Sequence, residues 1–433
     1  MGRLRIVRAF AQARWGRRFR SRAALEAAQR RLLRRHLRFL ERHSPYFAPL
    51  VRGLGAGLDP EDLARLPTMT KAVGMEHFDA MNTVGVRRDE ALALALAGER
   101  SRDFSPTLNG VAVGLSSGTS GHRGLFVISP REREEWAGTV LARFLPPGRI
   151  LGQRIAFFLR ADNSLYETVA SRAVAFRFFD VYDSAAANVE KLGAFAPTLL
   201  VAPPSVLLML AAAAERGELV VAPERVIAVA EVLQPGDAAV LRSAFGVAVI
   251  HQAYQCTEGF LAHTCRLGTL HLNEDAVLVE REELGDGRFV PIVTDLRRRA
   301  QPIVRYRLND VLRAAPAPCP CGSVLTTLDA IEGREDDVLL LPGTDGEPVR
   351  VYSDVVVRSM MFAEGFREFR VVQSGPSTLT VAVDVLTPAV RASVAAEFAL
   401  LAGRLGLRPP TLVFEAYAHD PALKLRRVQR STP

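Results

Sequence analysis

Apolar and polar positions alternate in two different rhythms along the chain. Between residues 131 and 251 short apolar stretches recur, at residues 154–159 (RIAFFL), 175–179 (AFRFF), 198–202 (TLLVA), 225–230 (RVIAVA) and 248–251 (AVIH). Helix-length segments separate them, among them residues 204–215 and 235–245, each opening on a proline. Strands separated by helices predict an α/β sheet. Residues 1–43 predict one or two helices: Leu25, Leu32, Leu33, Leu37 and Leu40 recur at helical spacing and would dock on a core, while arginine fills the other faces. Ser44-Pro45 breaks that run, residues 49–60 read as a loop, and Asp59-Pro60-Glu61-Asp62 reads as a helix start with an acidic first turn. Beyond residue 338, strands at 369–373, 379–385 and 412–417 and a helix at 388–403 predict a small α+β domain. The charge-dense run Glu332-Gly333-Arg334-Glu335-Asp336-Asp337 reads as the linker to it. The expected organisation is an Arg-rich helical extension (1–60) packed on a large α/β domain (61–333) of mixed sheets and helices, followed by a small mobile domain (334–433).

Composition sharpens this picture at a few points. The net charge of +8 is uneven: residues 1–42 hold fourteen arginines against Glu26 and Glu41, about +12, which leaves the rest of the chain near −4. An acidic partner, an anionic membrane surface or nucleic acid would suit such an end, and so would a plain solvated helix face. Aromatic interleaving is limited to Trp15 and Phe19, which argues against nucleic acid. No apolar run approaches the ~18 residues that span a bilayer, and Arg17-Arg18 precedes no apolar signal segment, so the expected location is the cytoplasm. Lysine is confined to Lys71, Lys191 and Lys424 against fifty-two arginines, a pattern that points to positions needing a compact, flexible point charge.

Two stretches carry candidate chemistry. In Gly114-Leu-Ser-Ser-Gly-Thr-Ser-Gly-His-Arg-Gly124, glycines alternate with hydroxyl residues between strand-like flanks, so amide N–H groups and hydroxyls can converge on a polyphosphate. The Walker spacing is absent; the choice is between a phosphate-binding hairpin and an ordinary Gly/Ser turn. Tyr254-Gln-Cys-Thr-Glu-Gly259 leaves the strand at 248–251, where open α/β sheets bind ligands. There Tyr254 could stack on a base, and Thr257 with Glu258 could hold a hard cation, or the stretch could be a plain strand exit.

In order along the chain, these stretches resemble the motifs of adenylate-forming enzymes, and within them the phenylacetate-CoA ligase branch. The resemblance rests on Leu66 to Lys71 as P-x-x-T-K, Ser116 to Gly124 as the ATP loop, Ala230-Glu231 in the adenine region, and Tyr254 to Gly259 as Y-G-x-T/S-E. Arg305 to Asp310 follows as R-Y-R-x-x-D, Gly333 to Asp337 as G-R-x-D-D, and Lys424 to Val428 as K-x-x-R-V. YQCTEG followed by LHLNED looks like the clade of deazaflavin-coenzyme adenylylating enzymes and aryl-polyene cluster proteins. Three departures stand out: Arg123 where many relatives have lysine, Gln255 where they have glycine, and LLLPGTDGEPVRVYSD in place of a glycine-rich loop that helps form the thioester half-site.

The resemblance implies ATP-dependent activation of a small carboxylic acid, with the acyl group then passed to a thiol of CoA or of an acyl carrier protein. A transferase that stops at AMP transfer, and a nucleotide-binding protein without turnover, are the alternatives. Ser116, Ser117, Gly118, Thr119, Ser120, Gly121 and Arg123 would cradle phosphates, Thr257 and Glu258 would hold Mg2+, and Tyr254 would stack on adenine near Glu231. Asp310 would bind the ribose, Lys424 would serve the adenylation step, and Arg334 and Asp336 would form the hinge. Phe157, Phe158, Tyr166, Phe176, Val232, Phe260 and His263 are available for an apolar, partly aromatic acid pocket. Relatives are often dimers, so a homodimer is an expectation too. Finally, Cys265, His271, Cys319 and Cys321 make a Cys3His set of the kind zinc takes, with cysteines in the same two places in some members of the branch; unpaired reduced thiols are the other reading.

Overall fold

In the computed structural model a hairpin of β1 (Ala112–Leu115) and β2 (Leu125–Ile128) precedes the strands β3 (Gln153–Leu159), β4 (Val174–Asp180), β5 (Leu199–Ala202), β6 (Arg225–Val229) and β7 (Ile250–Cys256). These five lie parallel in the order β7-β6-β5-β3-β4. β8 (Gly259–Thr264) and β9 (Leu270–Leu272) extend the sheet antiparallel from β7. The structure describes residues 2–16, 19–55, 58–116, 124–159, 168–171, 174–181, 183–417 and 426–431, apart from the side chains of Asp336, Asp354 and Arg358. The chain divides into two units, one of residues 1–287, 291–308 and 314–329, the other of residues 288–290, 309–313 and 330–433.

The connecting helices of the first unit start where the sequence says they should. Pro204–Glu215 and Pro235–Phe245 each place proline in the first turn, where a missing N–H leaves nothing unpaired. Pro130–Phe144 adds a capping box between Ser129 and Glu132. Period-two alternation then sends neighbouring strand residues to opposite faces. Phe158 stacks on Phe179 (centroids 4.6 Å apart) beneath the helices carrying Leu192, Leu207 and Leu241, whereas Phe157 packs with Phe176 (5.8 Å) on the face of Ile155, Leu199 and Ile227. Phe158 is therefore core and not pocket wall, a correction the strand's own alternation explains.

The N-terminal arginines partly serve packing. Helix Gly2–Ala11 crosses helix Pro130–Phe144 at Gly138, where a Cβ would stand 2.4 Å from the carbonyl oxygen of Ile6. Arg5 pairs with Glu134 at 2.6 Å, and Arg14 donates to the carbonyls of Ala142, Leu145 and Pro146, the C-terminal end of that helix, where a cation is favoured. In helix Arg22–His43, Leu25, Leu33, Leu37 and Leu40 are fully buried; the last three pack with Phe47, Val51, Leu278 and Val304. Residues expected as loop instead form the helix Phe47–Arg52, with Pro49 in its first turn, and the helix start at Asp59 is a single 3-10 turn, Pro60–Arg65. No helix among the described residues is long and apolar enough to cross a membrane.

β10 (Val277–Gly285), β11 (Arg288–Asp295) and β12 (Tyr306–Arg307) follow, β12 pairing antiparallel with β11. β13 (Asp310–Ala314) and β14 (Thr327–Arg334) come next, with Thr327 and Leu328 paired to His271 and Leu270 of β9. In the second unit β15 (Leu339–Pro342) and β16 (Pro348–Val351) form an antiparallel hairpin within the stretch LLLPGTDGEPVRVYSD. β17 (Phe369–Gly375), β18 (Thr378–Val383), β19 (Thr411–Ala416) and β20 (Val428–Arg430) form a sheet ordered β19-β18-β17-β20 over the helices Ser353–Phe362 and Pro388–Leu405. The run expected as the domain linker is the end of β14 plus a short 3-10 turn. Two of its charges are buried in pairs: Glu332 binds Arg288 (2.7 Å) and Arg313 (3.2 Å), and Asp337 binds Arg426.

One fully enclosed imidazole in the first unit lacks compensation on both nitrogens. His36 is fully enclosed with no hydrogen-bond partner on either ring nitrogen among the described residues, and its pKa is pushed down from 6.5 to about 3, first by burial and then by Arg299. The unfolded imidazole binds a proton below 6.5 that the folded one refuses, so this site costs stability increasingly as pH falls from 6.5 toward 3. His36→Leu is expected to raise stability by about 1–3 kcal/mol at neutral pH and to flatten the loss on acidification, as thermal melts at pH 7 and pH 5 would report.

Candidate functional site

The C-terminal ends of β6 and β7 carry four of the predicted residues of the first unit, Glu231, Tyr254, Thr257 and Glu258. β7 runs further than expected, so Tyr254, Gln255 and Cys256 lie within the strand and Thr257-Glu258 forms the turn to β8. Tyr254 is buried and pairs with Ala262; Gln255 accepts from Trp136 Nε1 at 3.0 Å, so its amide is held by the helix behind it. Thr257 Oγ1 donates to Glu258 Oε2 at 2.9 Å. The phenol of Tyr306 also bonds Glu258; burial and that carboxylate hold its pKa well above the usual value. At the end of β6, Ala230 adopts φ 66°, a left-handed backbone that costs a residue with a Cβ, and Glu231 beyond it accepts from the Ser205 N–H at 3.1 Å. Glu231 thus caps the helix Pro204–Glu215.

The glycine-hydroxyl loop is anchored from both sides. Ser116 N–H donates to the Gly124 carbonyl (2.7 Å), and Gly124 N–H to Ser116 Oγ (2.8 Å). Ser117, Gly118, Thr119, Ser120, Gly121 and Arg123 lie outside the described residues, as do Tyr166 and Lys424. Lys71 comes to this neck: a Cβ on Gly124 would stand 3.4 Å from Lys71 Cγ. Its helix, Lys71–Glu76, is capped by Thr70, and Met69 before it exchanges backbone hydrogen bonds with Arg305 and Arg307 (2.8 and 2.9 Å). Arg305 in turn forks onto Glu280, both contacts 3.0 Å.

What ties loop to turn went unread in the sequence. Gln301 accepts from Val127 N–H (3.0 Å) and from Arg298 (3.0 Å), and donates to the Leu125 carbonyl (3.1 Å). Arg298 also donates to the Thr257 carbonyl. Asp295 Oδ1 accepts from the N–H groups of Arg297 (2.8 Å) and Arg298 (3.0 Å), and burial nonetheless holds its carboxyl above the usual range. The sequence signal was present, an Asp-Leu-Arg-Arg-Arg-Ala-Gln run after an apolar strand, but nothing in its spacing names a partner.

The pocket candidates separate. Phe260 faces Phe144 (6.0 Å) and His263 (6.3 Å) on the same face of the sheet as Phe157 and Phe176. His263 donates from Nδ1 to Asn273 Oδ1 at 2.6 Å, and burial pushes its pKa down to about 3, so it is a neutral, satisfied core residue. In the second unit Arg334 Nε stands 3.8 Å from Asp310, and the neighbouring Asp337 accepts from Arg334 N–H (2.7 Å) and Arg426 Nε (2.8 Å).

The four predicted zinc ligands meet. Cys265 Sγ, His271 Nε2, Cys319 Sγ and Cys321 Sγ bring their ligand atoms within 4.8 Å of one another. Cys265 and Cys319 are 3.8 Å apart, and Cys321 is 3.5 Å from His271 Nε2. Metal–sulfur bonds of about 2.3 Å and metal–nitrogen bonds of about 2.0–2.1 Å give a tetrahedron with edges of about 3.8 and 3.5 Å. His271 Nδ1 faces the Leu325 carbonyl at 3.3 Å, which leaves Nε2 as the free donor.

The fold is that of adenylate-forming ligases. A crystal structure of 2-hydroxyisobutyryl-CoA ligase in the postadenylation state with 2-HIB-AMP superposes with a TM-score of 0.71 at 18% identity, over 96% of this chain and 91% of that one. The amide bond synthetase McbA from Marinactinospora thermotolerans follows at TM-score 0.53 and 17% identity (74% and 67% covered), and the anthranilate CoA ligase AuaEII with anthranoyl-AMP at 0.52 and 13% (72% and 65%). No family model and no curated protein matches the chain.

Gln301→Leu removes three hydrogen bonds at the base of the loop. Hydrogen exchange at the Val127 amide is expected to quicken about tenfold or more, the equivalent of about one net hydrogen bond, with the far side of the sheet unchanged.

Proposed function

We propose that the protein activates a small carboxylic acid with ATP, forming an acyl-AMP. The observation that carries this reading is the junction, within one unit, of the glycine-hydroxyl loop and the Thr257-Glu258 turn through Arg298 and Gln301, in a fold shared with ligases solved as acyl-AMP complexes. In the reaction a carboxylate oxygen attacks the α-phosphorus, the bond to the β-phosphate bridge breaks, and pyrophosphate leaves. Two anions must meet, so the task is electrostatic and positional. Residues 116–124 cradle the phosphates with Lys71 at their neck; Tyr254 stacks on the adenine ring and Asp310 accepts from the ribose hydroxyls. Thr257 and Glu258 offer the hard oxygens that Mg2+ takes, and when bound the ion neutralises phosphate charge. Lys424 brings a mobile ammonium to the reacting oxygens, and Arg334 and Asp336 act as hinge.

In the second half-reaction a nucleophile attacks the acyl carbon and AMP departs. A thiol is the acceptor favoured here, in line with the phenylacetate-CoA ligase branch, with CoA or a carrier-protein arm as its source. Phe157, Phe176 and Phe260 on one sheet face support an aryl acid. The hairpin β15–β16, standing where that branch has its glycine-rich loop, keeps AMP transfer to a small molecule as the second reading.

ATP–pyrophosphate exchange with a panel of aryl and alkyl carboxylic acids tests the first step. Exchange stimulated by one class of acid, and lost at least about a hundredfold in Lys424→Ala with ATP binding intact, is the expected result; full exchange in that variant would remove Lys424 from the chemistry, and no exchange with any acid would overturn the reading.

The Cys3His cluster is proposed as a structural zinc site, its donor set and edge lengths fitting a closed tetrahedron. Metal analysis of protein purified without chelator should give about one zinc per chain, with both metal and several degrees of thermal stability lost in Cys319→Ser. Metal-free wild-type protein of equal stability would eliminate the site.

A further inference from the structure

The arginines of the N-terminus fall into two populations. Arg5, Arg14 and Arg22 are committed to internal partners, Arg22 reaching Glu274 at 2.7 Å. Six others stand exposed on one side of helix Arg22–His43: Arg30, Arg34, Arg38 and Arg42 at four-residue steps, with Arg31 and Arg35 beside them. Together with Arg299 and Phe39 they line an open groove of about 910 Å3. Arg34 forks onto Asp59 at 2.8 and 3.0 Å, whereas Arg30, Arg31, Arg35, Arg38 and Arg42 have no acidic partner among the described residues. Like charges four residues apart on a helix repel, so the ladder works against the helix that carries it, and the buried leucine face keeps that helix folded. Within the groove the Arg299 guanidinium lies 4.5 Å from the Phe39 ring, which stacks on His43 at 4.2 Å and gives the charged walls a small apolar floor.

The geometry points to a docking surface for an acidic helix of a partner protein. From Arg30 to Arg42 the ladder rises about 18 Å at 1.5 Å per residue, an i, i+4 row inclined about 26° to the helix axis, with the repeat at which glutamates stand on another helix that crosses it. A compact polyphosphate would meet two or three of these forks and leave the rest unpaired. A duplex nucleic acid needs positive charge along its length, and the sequence confines the net positive charge to residues 1–42, the rest summing to about −4. An acidic helix matches the ladder in length, spacing and sign, and Phe39 offers its apolar side a contact. None of these residues belongs to the proposed nucleotide site, so the inference stands or falls apart from that reading.

The test is fluorescence anisotropy of a labelled helical peptide with glutamates at four-residue steps, titrated with the full-length protein. Binding that weakens as salt is raised, and that drops about tenfold or more in Arg31→Glu/Arg35→Glu/Arg38→Glu, is the expected result. A peptide with lysines in place of the glutamates should not bind the wild type. Thermal melting reports whether the triple variant folds; should it not, the single Arg38→Glu substitution is expected to weaken binding about threefold or more. Equal binding of a scrambled-glutamate peptide, tighter binding of tripolyphosphate or duplex DNA than of the helical peptide, or unchanged affinity in the variants would each overturn the proposal.

Discussion

The candidate site of the first unit depends on one small polar junction. Loop and turn are 130 residues apart in sequence and no strand pairing joins them directly, so their spacing is set by side chains from a third segment. Arg298 holds the Thr257 carbonyl, Gln301 holds both backbone groups offered by Leu125 and Val127, and the Asp295 carboxylate receives the N–H groups that start the turn carrying them. Each group taken out of water without a partner costs about 1–3 kcal/mol, and the junction meets the backbone groups of Leu125, Val127 and Thr257 while leaving Arg298 Nε buried without a partner among the described residues. Holding both segments from one short run suits a binding site, whose parts must stay in register.

Legibility in the sequence followed the range of the interaction. Helices Pro204–Glu215 and Pro235–Phe245 were readable residue for residue because proline, apolar spacing and a following turn are all local signals. The strands were found within one or two residues where apolar runs are buried on both faces. β7 was cut short at His251 because Tyr254, Gln255 and Cys256 look like a loop by composition; antiparallel pairing with β8 and the Trp136 contact keep them extended. Pro49 suggested a loop, yet in the first turn of Phe47–Arg52 its missing N–H costs nothing. Phe157 and Phe158 both look available for the pocket in the sequence, although neighbouring residues in a strand place their side chains on opposite faces.

Charge was the least legible property, since a run of charged residues reads the same whether solvated or paired. Glu332 and Asp337 look like linker in the sequence and are buried against arginines 19 to 89 residues away along the chain. Buried pairs of this kind add little net stability relative to apolar packing, but losing one partner leaves a costly bare charge, so they enforce one arrangement of the second unit's chain. The N-terminal arginines divide in the same way, and only coordinates separate those that cap helix Pro130–Phe144 from those left facing solvent.

The cysteine cluster addresses a gap that neither apolar packing nor strand pairing fills. Directly after β13, residues 315–323 read Ala-Pro-Ala-Pro-Cys-Pro-Cys-Gly-Ser, with no large apolar side chain to bury and three prolines that cannot donate a backbone hydrogen bond. Entropy favours letting such a stretch wander. Yet Cys319 is buried, and its thiol, that of Cys321 and the imidazole of His271 converge with Cys265 in the turn after β8. Four donor atoms within 4.8 Å of one another, contributed by two segments about fifty residues apart, are what a metal clip requires, and a clip here would fix the strand pair β9–β14 that carries the sheet beyond β8. The site would then contribute to folding, apart from the loop and turn that Arg298 and Gln301 hold together.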